Sequence, residues 1–387
     1  MAHLVPLQAI SFYIHYVTLF IDIRKRFHKN LKILVKSFIM SAGVKFMDKK
    51  RSISIKEIAK LSNVSVATVS RVINNNGRFS EETRKKVQGI IDKYGYTTNM
   101  AAKSLRMSKS KTVGLIVPNI DNEWFSHLVL EIEKYFFDQN YSVFICNTSQ
   151  DEKKEIAYFK SLDSKLVDGI MCISGIEEIP TDVMSRDIPI VCIDRKPKDH
   201  NNVYYVESNH YSGGYLATEE LIKKGCQRIA IVSRNKTLSV NKQRLEGYRQ
   251  ALKDYGLQEY KELQILLDPD SANYEGAREA MNQLIKSGVT FDGVFATNDW
   301  RAYGVMVALA ENNINVPEQV KVIGFDDISI SHSCHPSLST IRQDTTGLAK
   351  KASSLLLKLM NDKEVQLEER RYIFPVEVIR RDSTDNK

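Results

Sequence analysis

The sequence lacks the short motifs that mark phosphate-binding, dinucleotide-binding and acyl-transfer proteins. It contains no G-x-x-x-x-G-K-[ST], no G-x-G-x-x-G and no G-x-S-x-G. Its 8 histidines do not approach an H-E-x-x-H or Cys/His zinc spacing, and its Asp and His residues show no nucleophile–base spacing. We therefore expect a protein that is not an enzyme and that uses no metal or cofactor.

The chain is also poor in cysteine, and its 5 cysteines form no C-x-x-C pair. Cys146, Cys172 and Cys192 lie inside apolar runs that are typical of strands, while Cys226 and Cys334 stand alone. This pattern predicts buried free thiols in a reducing compartment.

Positive charge is concentrated near the start of the chain, although the net charge is only +8. Residues 47–111 carry 15 Lys/Arg and 5 Asp/Glu, whereas residues 112–387 carry 33 Lys/Arg and 41 Asp/Glu. A short basic module before a long acidic body is typical of a nucleic-acid-binding domain joined to a sensor. A solvated basic face would give the same asymmetry, so charge alone favours DNA binding only modestly.

The first 46 residues belong neither to the basic module nor to the acidic body. An uncharged run from Leu4 to Ile21 reaches the lower length limit of a membrane-spanning helix, and a basic cluster follows at 24–26. A signal peptide fits worse, because its basic residues would precede the apolar stretch. We interpret 1–46 as an extension outside the fold, with the true start at Met47, and a membrane anchor is the alternative.

Three short amphipathic helices are predicted next. Apolar residues at helical spacing indicate helices over Ile55–Leu61, Val66–Asn74 and Ser80–Gly95. Asn63 tolerates the left-handed conformation of a tight turn, and Ser65 suits the N-cap of the second helix. Helix, short turn, helix and supporting helix form the helix-turn-helix arrangement.

The stretch IKEIAKLSNVSVATVSRVINNNGRFSEETRKKV closely resembles the headpiece of the lactose-repressor (LacI/GalR) family of bacterial transcriptional regulators. Its V-S-x-x-T-V-S-R-V-I-N core is a specific signature, although Asn63 stands where the family usually has glycine. The resemblance implies that Val66, Ala67 and Arg71 face base edges in the major groove. There arginine can hydrogen-bond guanine, and the two apolar side chains can contact a thymine methyl. The residues suited to phosphate contacts are Ser54, Ser65, Thr68, Ser70 and Asn74.

Residues 98–111 resemble the hinge helix and linker of the same family. Leu105 matches the leucine with which family dimers wedge open the minor groove, and Arg106 would lie beside that groove. Thr98 replaces the family's usual proline before Asn99, so capping of the hinge rests on Asn99. A plain interdomain linker is the alternative in the absence of DNA.

From Thr112 onward, short β-rich runs alternate with amphipathic helical stretches, which is the rhythm of parallel, doubly wound α/β sheets. The strands are too many for one compact sheet, so we expect two lobes, and residues 112–380 resemble the periplasmic sugar-binding-protein fold. The predicted strands are 112–118, 141–147, 168–174, 188–194, 228–233, 293–299 and 320–327. The predicted helices are 123–139, 151–164, 210–224, 242–255, 274–286 and 299–312.

Polar side chains cluster at the carboxyl ends of these strands, where open α/β sheets bind ligands. Carboxylate, guanidinium and amide groups together can sort sugar hydroxyls, and an aromatic pair can stack on a sugar face. Each residue could instead be structural, and Glu123 stands where the family commonly has proline. The candidate effector-binding residues are Asn122, Trp124, Phe125, Asp194, Arg195, Arg244, Asn298, Asp326 and Gln343.

These observations predict four segments: an extension (1–46), a helix-turn-helix domain (47–97), a hinge (98–111) and an effector-binding and dimerisation domain (112–387). We expect a cytoplasmic homodimer that represses a carbohydrate-use operon. Its partners would be double-stranded operator DNA and a small-molecule effector, a sugar or sugar phosphate, while a purine or phosphoprotein co-effector stays open. The alternative is a membrane-tethered or exported sugar-binding protein with no DNA role.

Overall fold

The computed structural model of the chain describes residues 53–96, 109–173, 175, 179–195, 203–235, 239–268, 273–362 and 369–385. The chain divides into two compact units between Asn99 and Met100. The two units are described separately below.

The first unit is a bundle of three helices: α1 (Ile55–Ser62), α2 (Val66–Ile73) and α3 (Glu81–Tyr94). One apolar stripe from each helix meets in a small core, in which Ile58, Val69, Val72 and Val87 are buried. Because this core is small, interactions at the helix ends contribute much to where each helix begins and ends.

Capping residues fix those ends. Ser54 and Glu57 form a reciprocal capping box at the start of α1, and Ser65 accepts a hydrogen bond from the Thr68 amide at the start of α2. Between the two helices Asn63 adopts the left-handed conformation, at φ 52° and ψ 45°. Asparagine tolerates this conformation better than most residues, so it can stand in for glycine in the turn.

The second unit consists of two α/β lobes. In chain order its strands and helices are β1 (Thr112–Val117), α4 (Glu123–Asp138), β2 (Ser142–Asn147), α5 (Glu152–Ser164), β3 (Gly169–Ile173), β4 (Ile190–Ile193), β5 (Tyr204–Ser208), α6 (His210–Lys223), β6 (Ile229–Arg234), α7 (Ser239–Asp254), β7 (Gln264–Leu267), α8 (Tyr274–Lys286), β8 (Gly293–Ala296), α9 (Asp299–Glu311), β9 (Lys321–Ile323), α10 (Ser329–Ser333), β10 (Thr340–Gln343), α11 (Thr345–Asn361), β11 (Arg371–Phe374) and β12 (Val376–Ile379). Short 3₁₀ turns lie at Thr181–Val183 and Lys261–Leu263.

The first lobe is built on a six-stranded parallel sheet in the order β11-β5-β4-β3-β1-β2. Alternate residues of β1 enter opposite cores: Val113 and Leu115 pack on the side of α4 and α11, and Ile116 packs on the side of α5. Burial on both faces explains why its strands are nearly continuous apolar runs.

The second lobe is built on a four-stranded parallel sheet in the order β7-β6-β8-β9, and β10 pairs with β12 in a separate antiparallel ribbon. Helices α8 and α9 pack on one face of the sheet, and α6 and α7 pack on the other. Both lobes are thus doubly wound, as the sequence predicted.

The chain passes between the lobes three times. It leaves the first lobe between β5 and α6, returns between β10 and α11, and leaves again between β11 and β12. Helix α11 packs in the core of the first lobe although it follows the whole of the second lobe's sheet. Three crossings bring several strand ends together at the junction, where polar side chains collect.

Each of the seven predicted strand segments contains a strand, and the six predicted helices are present with shifts of at most three residues at their ends. The sequence-based prediction missed β5, β7, the three C-terminal strands, α10 and α11. All five cysteines are free and buried. Among the described residues, no helix combines the length and apolarity needed to cross a membrane. The apolar run within 1–46 lies outside those residues.

Candidate functional site

Helix α2, which the family resemblance predicts to enter the major groove, presents a face of small, polar and basic side chains. Val66, Ala67 and Arg71 are exposed, while Val69 and Val72 on the opposite side are buried. One side of this short helix is therefore exposed, as contact with the major groove of DNA requires.

The side chain of Arg71 packs against Gly77, a contact that the sequence analysis did not predict. A Cβ atom on Gly77 would lie 3.4 Å from Cδ of Arg71, so the arginine stem lies against this glycine. Gly77 has φ +90°, a conformation that other residues rarely adopt. The loop after α2 therefore leaves room for the stem of Arg71.

The predicted phosphate-contact residues have mixed environments. Ser54 and Ser65 cap helices but stay exposed, and Thr68 and Ser70 are half-buried. Asn74 is exposed, and its amide donates to the Ser70 carbonyl at 2.7 Å. Their role on DNA stays a prediction. The hinge residues Leu105 and Arg106 lie outside the described residues.

A cleft of about 630 Å³ lies at the junction of the two lobes. It is walled by the start of α4, the segment after β9, and the second and third crossings between lobes. Three of the predicted effector residues, Trp124, Asp326 and Gln343, line it. Its other lining residues are His127, Asp327, Ile328, Arg342, Asp344, Thr345, Thr346, Pro375, Val376 and Glu377.

A buried polar chain runs behind this lining. Asp194 Oδ1 lies 2.9 Å from His210 Nε2, and His210 Nδ1 lies 3.3 Å from Arg244 Nε and Nη2. Arg244 Nη2 lies 3.6 Å from Asp326 Oδ1, and the same oxygen accepts from Gln343 Nε2 at 2.8 Å. The chain thus links Asp194 of the first lobe to Asp326 of the second.

Arg244 is held on several sides. Its Nη1 donates to the Thr297 carbonyl at 2.5 Å, and its guanidinium lies 3.5 Å from the ring centroid of Phe325. The close approach of α6 and α7 brings it there, because a Cβ on Gly214 would lie 2.0 Å from the Arg244 carbonyl oxygen. Arg244 thus has a fixed position beside the cleft.

Burial perturbs the charged groups at this junction. It raises the pKa of Asp326 to about 6, against the pull of Arg244 and Arg301, and it raises the pKa of Asp299 well above its ordinary value. Burial also lowers the pKa of Arg301 to about 10. Asp326 has φ +109° and Asp194 has φ +50°. Asp326 thus combines a strained backbone and a perturbed carboxyl group within the cleft, a combination that is typical of a binding site.

Two buried polar atoms of the lining residues have no hydrogen-bond partner within the described part of the chain. They are Trp124 Nε1, on a side chain that is 5% exposed, and Gln343 Oε1, on one that is 4% exposed. An unsatisfied buried donor and acceptor each cost about 1–3 kcal/mol. Both residues line the cleft, although the two atoms themselves are enclosed in the protein.

The remaining predicted effector residues have other contacts. Asn122 and Asn298 cap α4 and α9 with their side-chain oxygens, and Phe125 packs against the core of the first lobe. Arg195 Nη1 donates to Glu155 Oε1 at 2.6 Å in a buried ion pair. These four residues are not among those that line the cleft, and their part in effector binding stays a prediction.

The sequence-based prediction missed His210 and Glu155, and from the strand-end pair Asn298 and Asp299 it kept only Asn298 as a candidate. His210 begins α6 directly after β5, and that strand was itself missed. Asp299 accepts from Thr340 Oγ1 and the Ile328 amide, which follow it in the chain by 41 and 29 residues. Only the fold shows such distant partners, although the position of Asp299 directly after a strand end was a usable signal.

A helix-turn-helix unit followed by a two-lobed domain with a polar cleft defines a DNA-binding, ligand-responsive regulator. The family model described as "Bacterial regulatory proteins, lacI family" matches residues 54–99, and the model "Periplasmic binding protein-like domain" matches residues 218–384. The chain is similar to the HTH-type transcriptional regulator RegA of Clostridium saccharobutylicum, with 33% identity over 86% of this chain and 99% of the relative. It is 31% identical to the ribose operon repressor of Halalkalibacterium halodurans, over 86% of this chain and 97% of that one.

Solved structures agree with this grouping. The Lac repressor dimer bound to operator shows the same fold with a TM-score of 0.75, at 23% identity over 86% of this chain and 99% of that one. A LacI-type regulator from Alkaliphilus metalliredigens in complex with D-xylulofuranose has a TM-score of 0.62, at 31% identity over 71% of this chain and 100% of that one. The chain belongs to the lacI family of bacterial regulatory proteins. It is a DNA-binding transcriptional regulator and not an enzyme.

Proposed function

We propose that this protein is a cytoplasmic homodimeric repressor of a carbohydrate-use operon, whose operator binding is controlled by an uncharged sugar in the cleft. The observation that supports an uncharged effector is a pair of neutral polar groups without hydrogen-bond partners, Trp124 Nε1 and Gln343 Oε1. A hydroxyl group can accept from the first and donate to the second. The ribose and xylulofuranose in the names of similar proteins support the same class.

The charges of the cleft favour a neutral sugar over a sugar phosphate. Four carboxylates line it, from Asp326, Asp327, Asp344 and Glu377. Among the described lining residues the only Lys or Arg is Arg342, and it is already paired with Asp327 at 2.6 Å and Glu377 at 3.0 Å. A phosphate group would meet repulsion without a free guanidinium to bind it.

An apolar surface on the first lobe supports the homodimer. Leu130 and Phe137 lie seven residues apart on α4 and are 63% and 70% exposed. Ile145 is also exposed on β2, the edge strand of the six-stranded sheet, and it lies on the α4 side of that sheet because it pairs with Leu115. Exposed apolar groups that cluster in this way are typical of an interface, and two-fold symmetry buries the same surface on both copies.

The experiment measures binding of the full-length protein to fluorescent DNA from upstream of its own operon. Affinity should fall steeply as salt rises, because bound phosphates release counterions. D-ribose, D-xylulose or cellobiose should change the affinity, whereas ribose 5-phosphate should not. Salt-insensitive binding would contradict DNA recognition through the basic unit. A response to the phosphate ester alone would contradict the neutral effector.

A further inference from the structure

Glu123 makes a contact that the family's usual proline at its position could not make. It is the first residue of α4, and its two carboxylate oxygens accept two hydrogen bonds from Ser329, the first residue of α10. The Ser329 amide donates to Oε1 at 3.0 Å, and the Ser329 hydroxyl donates to Oε2 at 2.6 Å. The two residues are 206 positions apart in the chain.

These hydrogen bonds join opposite lobes. Helix α4 packs in the first lobe, whereas α10 lies between Phe325 and Cys334, which both belong to cores of the second lobe. The residue before Ser329, Ile328, is buried in the same hydrophobic cluster as Trp124. A bidentate polar contact and an apolar contact therefore lie side by side across one wall of the cleft.

Two simpler roles for Glu123 do not account for this geometry. A carboxylate in the first turn of a helix is favourable by itself, but that interaction needs no partner from the other lobe. His127, one turn along α4, lies 3.7 Å from Oε1, yet both carboxylate oxygens have much shorter contacts with Ser329. The side chain is thus positioned by the opposite lobe.

We propose that Glu123 and Ser329 form a clasp that holds the two lobes closed over the cleft, and that the strength of this clasp sets how readily the effector domain opens. Two hydrogen bonds to a carboxylate at a partly solvated site are sufficient to change the ratio of closed to open forms by about tenfold. Loss of the clasp should therefore open the cleft in the absence of any ligand.

Trp124 provides a direct reporter of this opening. The chain has 2 tryptophans, and Trp300 is the other. In full-length protein carrying Trp300→Phe, all tryptophan emission comes from Trp124, which is buried at the closed cleft. Glu123→Ala and Ser329→Ala should each shift its emission to the red and increase quenching by acrylamide several-fold. The double variant should show no larger effect than either single variant, because both remove one interaction.

Glu152→Ala is a matched control, because Glu152 is also the first residue of a first-lobe helix, α5, and is exposed. Glu123→Gln keeps an acceptor oxygen and should give an intermediate signal. Emission and quenching that stay unchanged in Glu123→Ala and Ser329→Ala would overturn the clasp, as would an equal change in Glu152→Ala. The measurement uses no ligand, so its outcome is independent of the proposed effector class. Thermal unfolding of each variant separates opening of the cleft from loss of the fold.

Discussion

Asp326→Asn tests whether ionisation of the buried Asp326 carboxyl group destabilises the folded protein. Burial raises the pKa of Asp326 from the ordinary 3.8 to about 6. Between these two values the folded protein holds a proton that the unfolded chain has released. The stabilisation from this proton is complete below pH 3.8 and is lost as the pH rises through 6. At about 1.4 kcal/mol per pH unit, the loss is about 3 kcal/mol.

Asparagine resembles the protonated carboxyl group in shape and stays neutral at every pH. The Asp326→Asn variant should therefore match the wild type near pH 4 and exceed its free energy of unfolding by about 3 kcal/mol at pH 8. Urea unfolding of the full-length proteins at pH 4, 5, 6, 7 and 8 measures this difference. The raised pKa of Asp299 contributes the same trend, and the charge of Asp326 is one of its causes, so the difference between the two proteins reports the ionisation of both carboxyl groups.

The exposed residue Asp121 provides the control, because Asp121→Asn removes a carboxylate that is not buried. The reasoning is refuted if the difference between wild type and Asp326→Asn is independent of pH, or if the wild type is the more stable protein at pH 8. Operator affinity should be unchanged in the variant, while the effector response should be lost. A gain in stability together with a loss of response is the usual trade-off at a binding site.

Three further predictions concern DNA recognition and the framework of the cleft. Arg71→Ala should cost about 1–3 kcal/mol at one operator position only, which affinity measurements across a set of single-base operator variants can detect; an equal loss on every variant would make Arg71 a phosphate contact. Leu105→Ala should reduce DNA bending and specific affinity together while leaving non-specific binding unchanged, and equal bend angles for the two proteins would exclude the wedge. Gly247→Ala should destabilise the second unit by about 1–3 kcal/mol in thermal unfolding, because its Cβ would lie 2.1 Å from the Tyr211 carbonyl oxygen. The control Gly89→Ala, with nothing within 4 Å of the added Cβ, should instead stabilise α3 by about 0.5–1 kcal/mol, and the same sign for both changes would contradict the argument.

Local signals predicted most of the fold. Ser65 and Asn63 determine the start of α2 and the turn before it through their own hydrogen-bonding and backbone preferences, so their roles could be read directly from the sequence. The strands β1 and β3 are buried on both faces and therefore form apolar runs that are easy to identify. By contrast, β11 alternates exposed and half-buried residues at the edge of a sheet, and its short pattern resembles a loop.

Both the lining residues of the cleft and their contacts were only partly predictable, since three of the nine candidate effector residues line it. The strand-end pattern predicts Asp194 and Asp326, because parallel strands end at the same edge of a sheet, whereas the prediction of Arg244 came from a position near the start of a helix. Their linkage through His210 depends on the crossing from β5 to α6, which places a helix start between two lobes. The partner of Arg195 depends likewise on the packing of α5, which no local pattern reveals.

The three crossings between lobes also affect the order in which the protein can fold during synthesis. The first lobe lacks α11 and β11 until almost the whole chain has left the ribosome, although its other strands are made first. Until then β5 is an unpaired edge strand, and the core that receives Leu348, Ala352 and Leu356 is open to water. The sheet of the second lobe, β6 to β9, is contiguous in sequence and can form earlier. The lobe that begins first on the ribosome is therefore completed last, and it depends on the C-terminal part of the chain.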